Sequence, residues 1–214
     1  MLGMKLSQKA IDKIIFFEVS SPAYYDKMLK KPTFPGGASG VTIGIGYDLG
    51  HNTKLQIAQD WGEFLNAATI AKLQEASGIK GSEAKVLVEK MQDVEIPYDI
   101  ARKVFVKSLK RYAKQAKDAY QGLEELTPDA QGAIVSLVFN RGSDTTAQND
   151  RRKEMFNIKK LVKDKDYQGI AEQFESMKRL WGDDMKGILD RRDIEAKLVK
   201  NALREYTQDE IIEI

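Results

Sequence analysis

Apolar residues recur at three-to-four spacing along most of the chain, which predicts a largely helical protein. Ile11, Ile14, Ile15 and Phe17 form the stripe of a first helix from about Ser7 to Glu18, which Ser20-Ser21-Pro22 ends. Between Ala23 and Gly50 the pattern changes. Two short β-prone pieces, Ala23-Tyr24-Tyr25 and Val41 to Ile45, flank the turn-rich Pro35-Gly36-Gly37-Ala38-Ser39-Gly40 and predict the one β-hairpin. Helices follow near Lys54 to Leu65, Ala67 to Ala76 and Glu83 to Gln92, with Thr53, Asn66 and Ser82 as N-caps. Pro97 opens the longest, to about Tyr120, with Tyr98, Ala101, Phe105, Leu109, Tyr112 and Ala116 as its core stripe. Thr127-Pro128-Asp129 starts a helix whose run Ala133 to Phe139 is apolar nearly all round and therefore central. Further helices are expected from Asn149 or Asp150 to Val162, from Tyr167 to Met177 and from Ile188 to Arg204, followed by a loose acidic tail after Tyr206.

Composition narrows the chemistry. The 34 Lys+Arg against 32 Asp+Glu leave a net charge of +2, too near neutrality for a dedicated nucleic-acid binder. The longest aliphatic or aromatic run, Ile14 to Phe17, is far short of the roughly 20 residues that cross a bilayer. The charged stretch Met1 to Lys13 has no signal-peptide pattern, so the export route stays open. With no cysteine and one histidine, His51, thiolate chemistry is excluded and imidazole chemistry is scarce, so carboxylates must carry any proton transfer. Asp164, Asp166, Asp183 and Asp184 lack the pattern of a calcium loop, and no metal or cofactor is expected.

Two carboxylates stand out. Glu18 closes an apolar helix directly after Phe16-Phe17, where the helix dipole and burial against rings would both raise its pKa towards that of a general acid. In Thr42-Ile43-Gly44-Ile45-Gly46-Tyr47-Asp48, alternation puts Thr42, Gly44, Gly46 and Asp48 on one face, a hydroxyl, a bare floor and a carboxylate. The alternative is a bend at Gly44 and Gly46, with Asp48 merely starting the turn Asp48-Leu49-Gly50. Fully extended, Asp48 would lie about 20 Å from Thr42 at roughly 3.3 Å per residue. Sharing one water therefore requires the glycines to fold the strand back. Two carboxylates with separated pKa values and a hydroxyl suit glycoside hydrolysis.

The segment from Glu18 through the tyrosine before the hairpin to Thr42-Ile43-Gly44-Ile45-Gly46 resembles the active-site segment of the phage-type lysozymes. The likeness continues through Ile96-Pro97-Tyr98-Asp99-Ile100-Ala101, through Ile134 to Gly142, and through Arg179-Leu180-Trp181-Gly182 with Gly187 to Glu195, covering about Lys9 to Leu203. In those enzymes the catalytic aspartate precedes the threonine. The corresponding Asp26 is one residue short of the usual spacing, and the insertion Leu29 to Gly40 intervenes. In lysozyme-like bacteriocins of the pesticin type the aspartate follows the threonine, as Asp48 follows Thr42 here.

The resemblance implies an α+β, mostly helical, lysozyme-like two-lobed fold in one domain over 1–214. Its small β-hairpin lobe would span about 19–96 and a long connecting helix about 97–120. The first helix and 121–205 would make the helical lobe, with 206–214 as a tail. It implies a monomeric N-acetylmuramidase acting on peptidoglycan glycan strands in the cell wall or periplasm, with Glu18, Asp48 and Thr42 catalytic and Gly44, Tyr47 and Asn140 at the substrate. The alternatives are a lytic transglycosylase, or a silent module binding peptidoglycan or a protein partner. From Ala101 to Lys117 seven basic residues and no acidic ones, among them Lys103, Lys107, Lys110, Lys114 and Lys117, form a stripe that is either a solvated face or a contact for anionic polymers. Trp61 and Trp181 are read as packing residues rather than sugar platforms.

Overall fold

The computed structural model describes residues 3–146 and 149–214. In chain order the elements are β1 (Lys5–Ser7), α1 (Gln8–Val19), α2 (Pro22–Met28), β2 (Thr42–Ile43), β3 (Tyr47–Asp48), α3 (Lys54–Trp61), α4 (Ala67–Glu75) and α5 (Gly81–Lys90). They continue as α6 (Tyr98–Ala119), α7 (Pro128–Arg141), α8 (Lys153–Lys163), α9 (Tyr167–Ser176), α10 (Lys186–Lys200) and β4 (Ile211–Glu213). The fold is α+β and mostly helical, as the periodicity predicts. The chain divides into two compact units, one of Met1–Phe17 with Leu109–Ile214, the other of Glu18–Ser108. Both α1 and α6 run across a division.

In the first unit α7 is the core. Every residue from Asp129 to Val138 is buried, which is what an all-round apolar helix requires. Gly132 allows α1 to approach, since a Cβ there would meet the Ala10 Cβ at 2.2 Å. The buried polar residues are paired: Glu195 accepts from Ser136 Oγ at 2.5 Å and lies 2.8 Å from Arg192, and Arg191 donates to the Ser136 carbonyl at 3.1 Å. The tail is not loose. Ile211–Glu213 pairs antiparallel with Lys5–Ser7, in the register Lys5 with Glu213 and Ser7 with Ile211. Buried Asp129 draws this region together, accepting from Ser7 Oγ and, at 3.1 Å, from Arg204 Nε. The acidic count of the tail hides its three isoleucines, of which Ile211 and Ile212 lie in the strand that pairs with β1.

In the second unit the predicted hairpin is corrected. Ala23-Tyr24-Tyr25 is helical, because Ser21 Oγ caps Tyr24 N at 3.1 Å and Pro22 takes the first helical position. The hairpin is instead β2 with β3, and on its other side Thr42 bridges Thr33. α3 and α4 carry the expected caps, Thr53 and Asn66. α5 begins at Gly81, one residue before the expected cap Ser82 and without a side-chain cap. Tyr25 is fully buried and donates to the Ile96 carbonyl at 2.9 Å, Ile96 N donates back to Lys30 O at 2.8 Å, and Lys30 pairs with Glu95 at 2.7 Å. These contacts fasten the start of the Leu29–Gly40 insertion.

Candidate active site

Glu18 lies in the last turn of α1, half-buried. The helix stops because Ser20 adopts φ 60°, a left-handed conformation usually filled by glycine at a helix C-terminus. α2 then starts at Pro22. Neighbouring Phe16 is half exposed and Phe17 half-buried.

The hairpin turns on Gly44-Ile45-Gly46, with φ of 57° at Gly44 and 69° at Gly46. A three-residue connection needs such left-handed positions. Folding there sets Thr42 directly opposite Asp48 and Ile43 opposite Tyr47. The extended-strand reading is thereby replaced by the bend, and Thr42 and Asp48 share a face as cross-strand neighbours rather than by alternation. The apex points inward: Ile45 is 5% exposed and Trp61 1%.

The two glycines differ in what surrounds them. A Cβ on Gly44 would sit 2.8 Å from Trp61 Cη2 and 3.5 Å from the Ala101 Cβ, so Gly44 packs against the protein's own tryptophan rather than offering a floor to substrate. At Gly46, chain neighbours aside, the single atom of the described residues within 4 Å of such a Cβ is Glu18 Oε2, at 3.8 Å. The open glycine and the helix-end carboxylate are thus brought together. Tyr47, expected at the substrate, is 8% exposed; its hydroxyl donates to Asp60 Oδ2 at 2.7 Å and its ring meets Trp61 edge-on. Asp60 is itself buried and accepts from Gln56 Nε2 at 2.9 Å. This Tyr47–Asp60 pair escaped the sequence reading, although Gln56 and Asp60 at helical spacing were the available signal.

Asp48 does more than one thing. Its carboxylate accepts from Gly40 N at 2.9 and 3.1 Å and from Gly50 N at 2.8 Å, and His51 Nε2 lies 3.8 Å away. It therefore clasps the end of the insertion to the turn after β3, with glycine at both donors because a Cβ on Gly40 would strike Asp48 Oδ1 at 2.4 Å. The Asp48 side chain is 22% exposed. The Thr42 hydroxyl makes no hydrogen bond among the described residues and is half-buried. Asp26, the other candidate, is exposed on α2 and lines a cavity of about 340 Å³ with Lys30, Gln92 and Glu95. Burial, and secondarily Asp26, pushes the Tyr25 phenol above its ordinary range. Asn140 belongs to the other unit, where it is exposed near the end of α7 and accepts from Arg192 Nη2 at 3.2 Å. Among the described residues no cluster of three His, Asp or Glu side chains is placed to hold a metal.

A family model described as "Domain of unknown function (DUF8812)" matches residues 18–192, a span that begins at Glu18 and contains the whole hairpin. No curated protein matches the chain by sequence. Among solved structures, the crystal structure of a P22 lysozyme mutant superposes with a TM-score of 0.53 at 18% identity, over 92% of this chain and 99% of that one. At that identity the likeness establishes the lysozyme-like fold.

Proposed function

We propose, from the premise that the chain belongs to the family described as a domain of unknown function (DUF8812) and has a lysozyme-like fold, that it is a peptidoglycan N-acetylmuramidase. The observation that carries the reading is Glu18 Oε2 over open Gly46, on the hairpin whose strands pair Thr42 with Asp48. Glu18 protonates the oxygen leaving from the muramic C1, and the C1–O bond breaks. The Thr42 hydroxyl and Asp48 hold a water whose oxygen bonds to C1, its proton passing to the carboxylate. Gly46 lets a sugar ring approach the backbone beside the acid. Neither metal nor cofactor enters these steps. The enzyme works as a monomer on glycan strands, in the cell wall or periplasm.

A second reading is favoured by one observation. Both oxygens of Asp48 already accept from backbone, Gly40 N shared between the two and Gly50 N on one, whereas a lytic transglycosylase needs only the acid and lets the muramic hydroxyl attack C1 internally. Digestion of purified peptidoglycan with mass analysis of the fragments separates the two. Reducing muramic ends support hydrolysis, anhydro ends support the transglycosylase, and intact sacculi overturn both in favour of a binding module.

A further inference from the structure

Four guanidinium groups converge near the end of α7 in the first unit. Arg141 ends the helix, Arg151 and Arg152 belong to the turn Asp150–Arg152 before α8, and Arg192 lies on α10. Such a concentration needs counter-charge, and the nearby carboxylates are otherwise engaged. Asp150 and Glu154 are held by Arg179 at 2.8 and 2.6 Å. Glu195 is taken by Arg191 and Arg192. Asp144 accepts from Thr146 N at 3.0 Å and lies 3.9 Å from Arg152 Nε. Arg141 and Arg151 consequently have no ion-pair partner among the described residues, and Ala147 and Gln148, which lie outside them, are uncharged in sequence.

Arg141 is also incompletely satisfied. One terminal nitrogen, Nη2, donates to the Arg151 carbonyl, and the guanidinium stacks over Trp181 at 5.0 Å, but Nη1 is buried with no hydrogen-bond partner among the described residues. A buried donor without an acceptor is costly and uncommon in native proteins. Burial first, and then Arg152, Arg192 and Arg151, draw its pKa down to about 10, so it remains charged near neutrality. Arg141, Arg151 and Arg152 line a cavity of about 330 Å³ together with Asn140, Asn149 and Trp181.

We propose that this cavity is a binding site for a doubly charged phosphate group, held by Arg141 and Arg151 and flanked by Arg152. Two guanidiniums without carboxylate partners match a dianion, and donors from separate chain segments suit a tetrahedral group with three terminal oxygens. A single carboxylate would be satisfied by one guanidinium fork. The site stands independently of the reading of Glu18.

Isothermal titration of the whole protein with inorganic phosphate, at ionic strength held constant with chloride, tests the site, with acetate as a second arm. Saturable one-to-one phosphate binding is expected, weakened about tenfold or more by Arg141→Gln and by Arg151→Gln, as the loss of a charge-assisted hydrogen bond implies. Acetate should bind at least tenfold more weakly. Arg151 is exposed, so R151Q keeps the test valid if R141Q fails to fold. No saturable phosphate binding, or R151Q binding as tightly as the parent, overturns the site. Acetate binding as tightly as phosphate overturns its assignment to a dianion.

Discussion

At the scale of single residues, the two hairpin glycines separate stability from function. Gly44→Ala adds a methyl 2.8 Å from Trp61 at a positive φ, and should cost about 1–3 kcal/mol in urea denaturation. Among the described residues beyond its chain neighbours, Gly46→Ala meets only Glu18 Oε2, so its structural cost should stay near 1 kcal/mol while activity falls, because the methyl occupies the space beside the acid. Greater destabilisation at Gly46 than at Gly44 would reverse this assignment. The carboxylates divide similarly. Glu18→Gln keeps the shape but cannot deliver a proton, and should reduce lysis by roughly 10² to 10⁴ with the fold retained. Asp48→Asn replaces an acceptor with a donor facing the Gly40 and Gly50 amides, so unfolding should show a loss of about 1.5–3 kcal/mol whatever its catalytic part. Activity of that variant, measured well below its melting point, then reports on catalysis alone. Near-parental lysis would leave Asp48 as a clasp, and Asp26→Asn should be mild.

At the scale of elements, caps and partners decide what the local pattern leaves ambiguous. The pattern around Ala23-Tyr24-Tyr25 is β-prone, yet the Ser21 cap and Pro22 start a helix. The tail is the converse case, since its acidic residues suggested disorder but its isoleucines complete a sheet with β1. Arg204 reinforces this by bridging Asp129 and Glu210. Deleting residues 207–214 removes that ladder and the Glu210 contact. If their loss costs about 2 kcal/mol, the melting temperature should fall by roughly 4–8 °C, with far-UV circular dichroism as the readout. An unchanged transition would mean that the strand pair contributes nothing to stability.

For the molecule as a whole, the near balance of charge conceals local surpluses. On α6 the lysines are not equivalent: Lys107 reaches the Gln59 carbonyl at 2.9 Å, Lys114 pairs with Asp118 at 2.7 Å and Lys117 with Glu124 at 3.1 Å, whereas Lys103 and Lys110 are exposed to solvent. Replacing Lys103, Lys107, Lys110 and Lys114 with Gln should weaken adsorption to anionic walls mainly at low salt, because exposed charges are screened over about 10 Å at 0.1 M. Turnover of short neutral glycan fragments should hardly change. An equal loss on such fragments in a turnover assay would tie the stripe to the catalytic site.

Helical periodicity, proline and N-cap chemistry determined most of the elements from sequence alone, because caps and apolar stripes act within a few residues. Glu18 and the Gly44–Gly46 bend were legible for the same reason: a helix end and two alternating glycines are local signals. Tertiary structure decided the rest. Whether Gly44 faces substrate or Trp61, whether Tyr47 points outward or onto Asp60, and whether the tail finds β1 all depend on partners 13 to about 200 residues away. The arginine cluster is of the same kind, since its unbalanced charge arises only when α7, the turn before α8 and α10 come together and the available carboxylates pair elsewhere. Sequence counts every charge, but packing alone determines which charges neutralise one another.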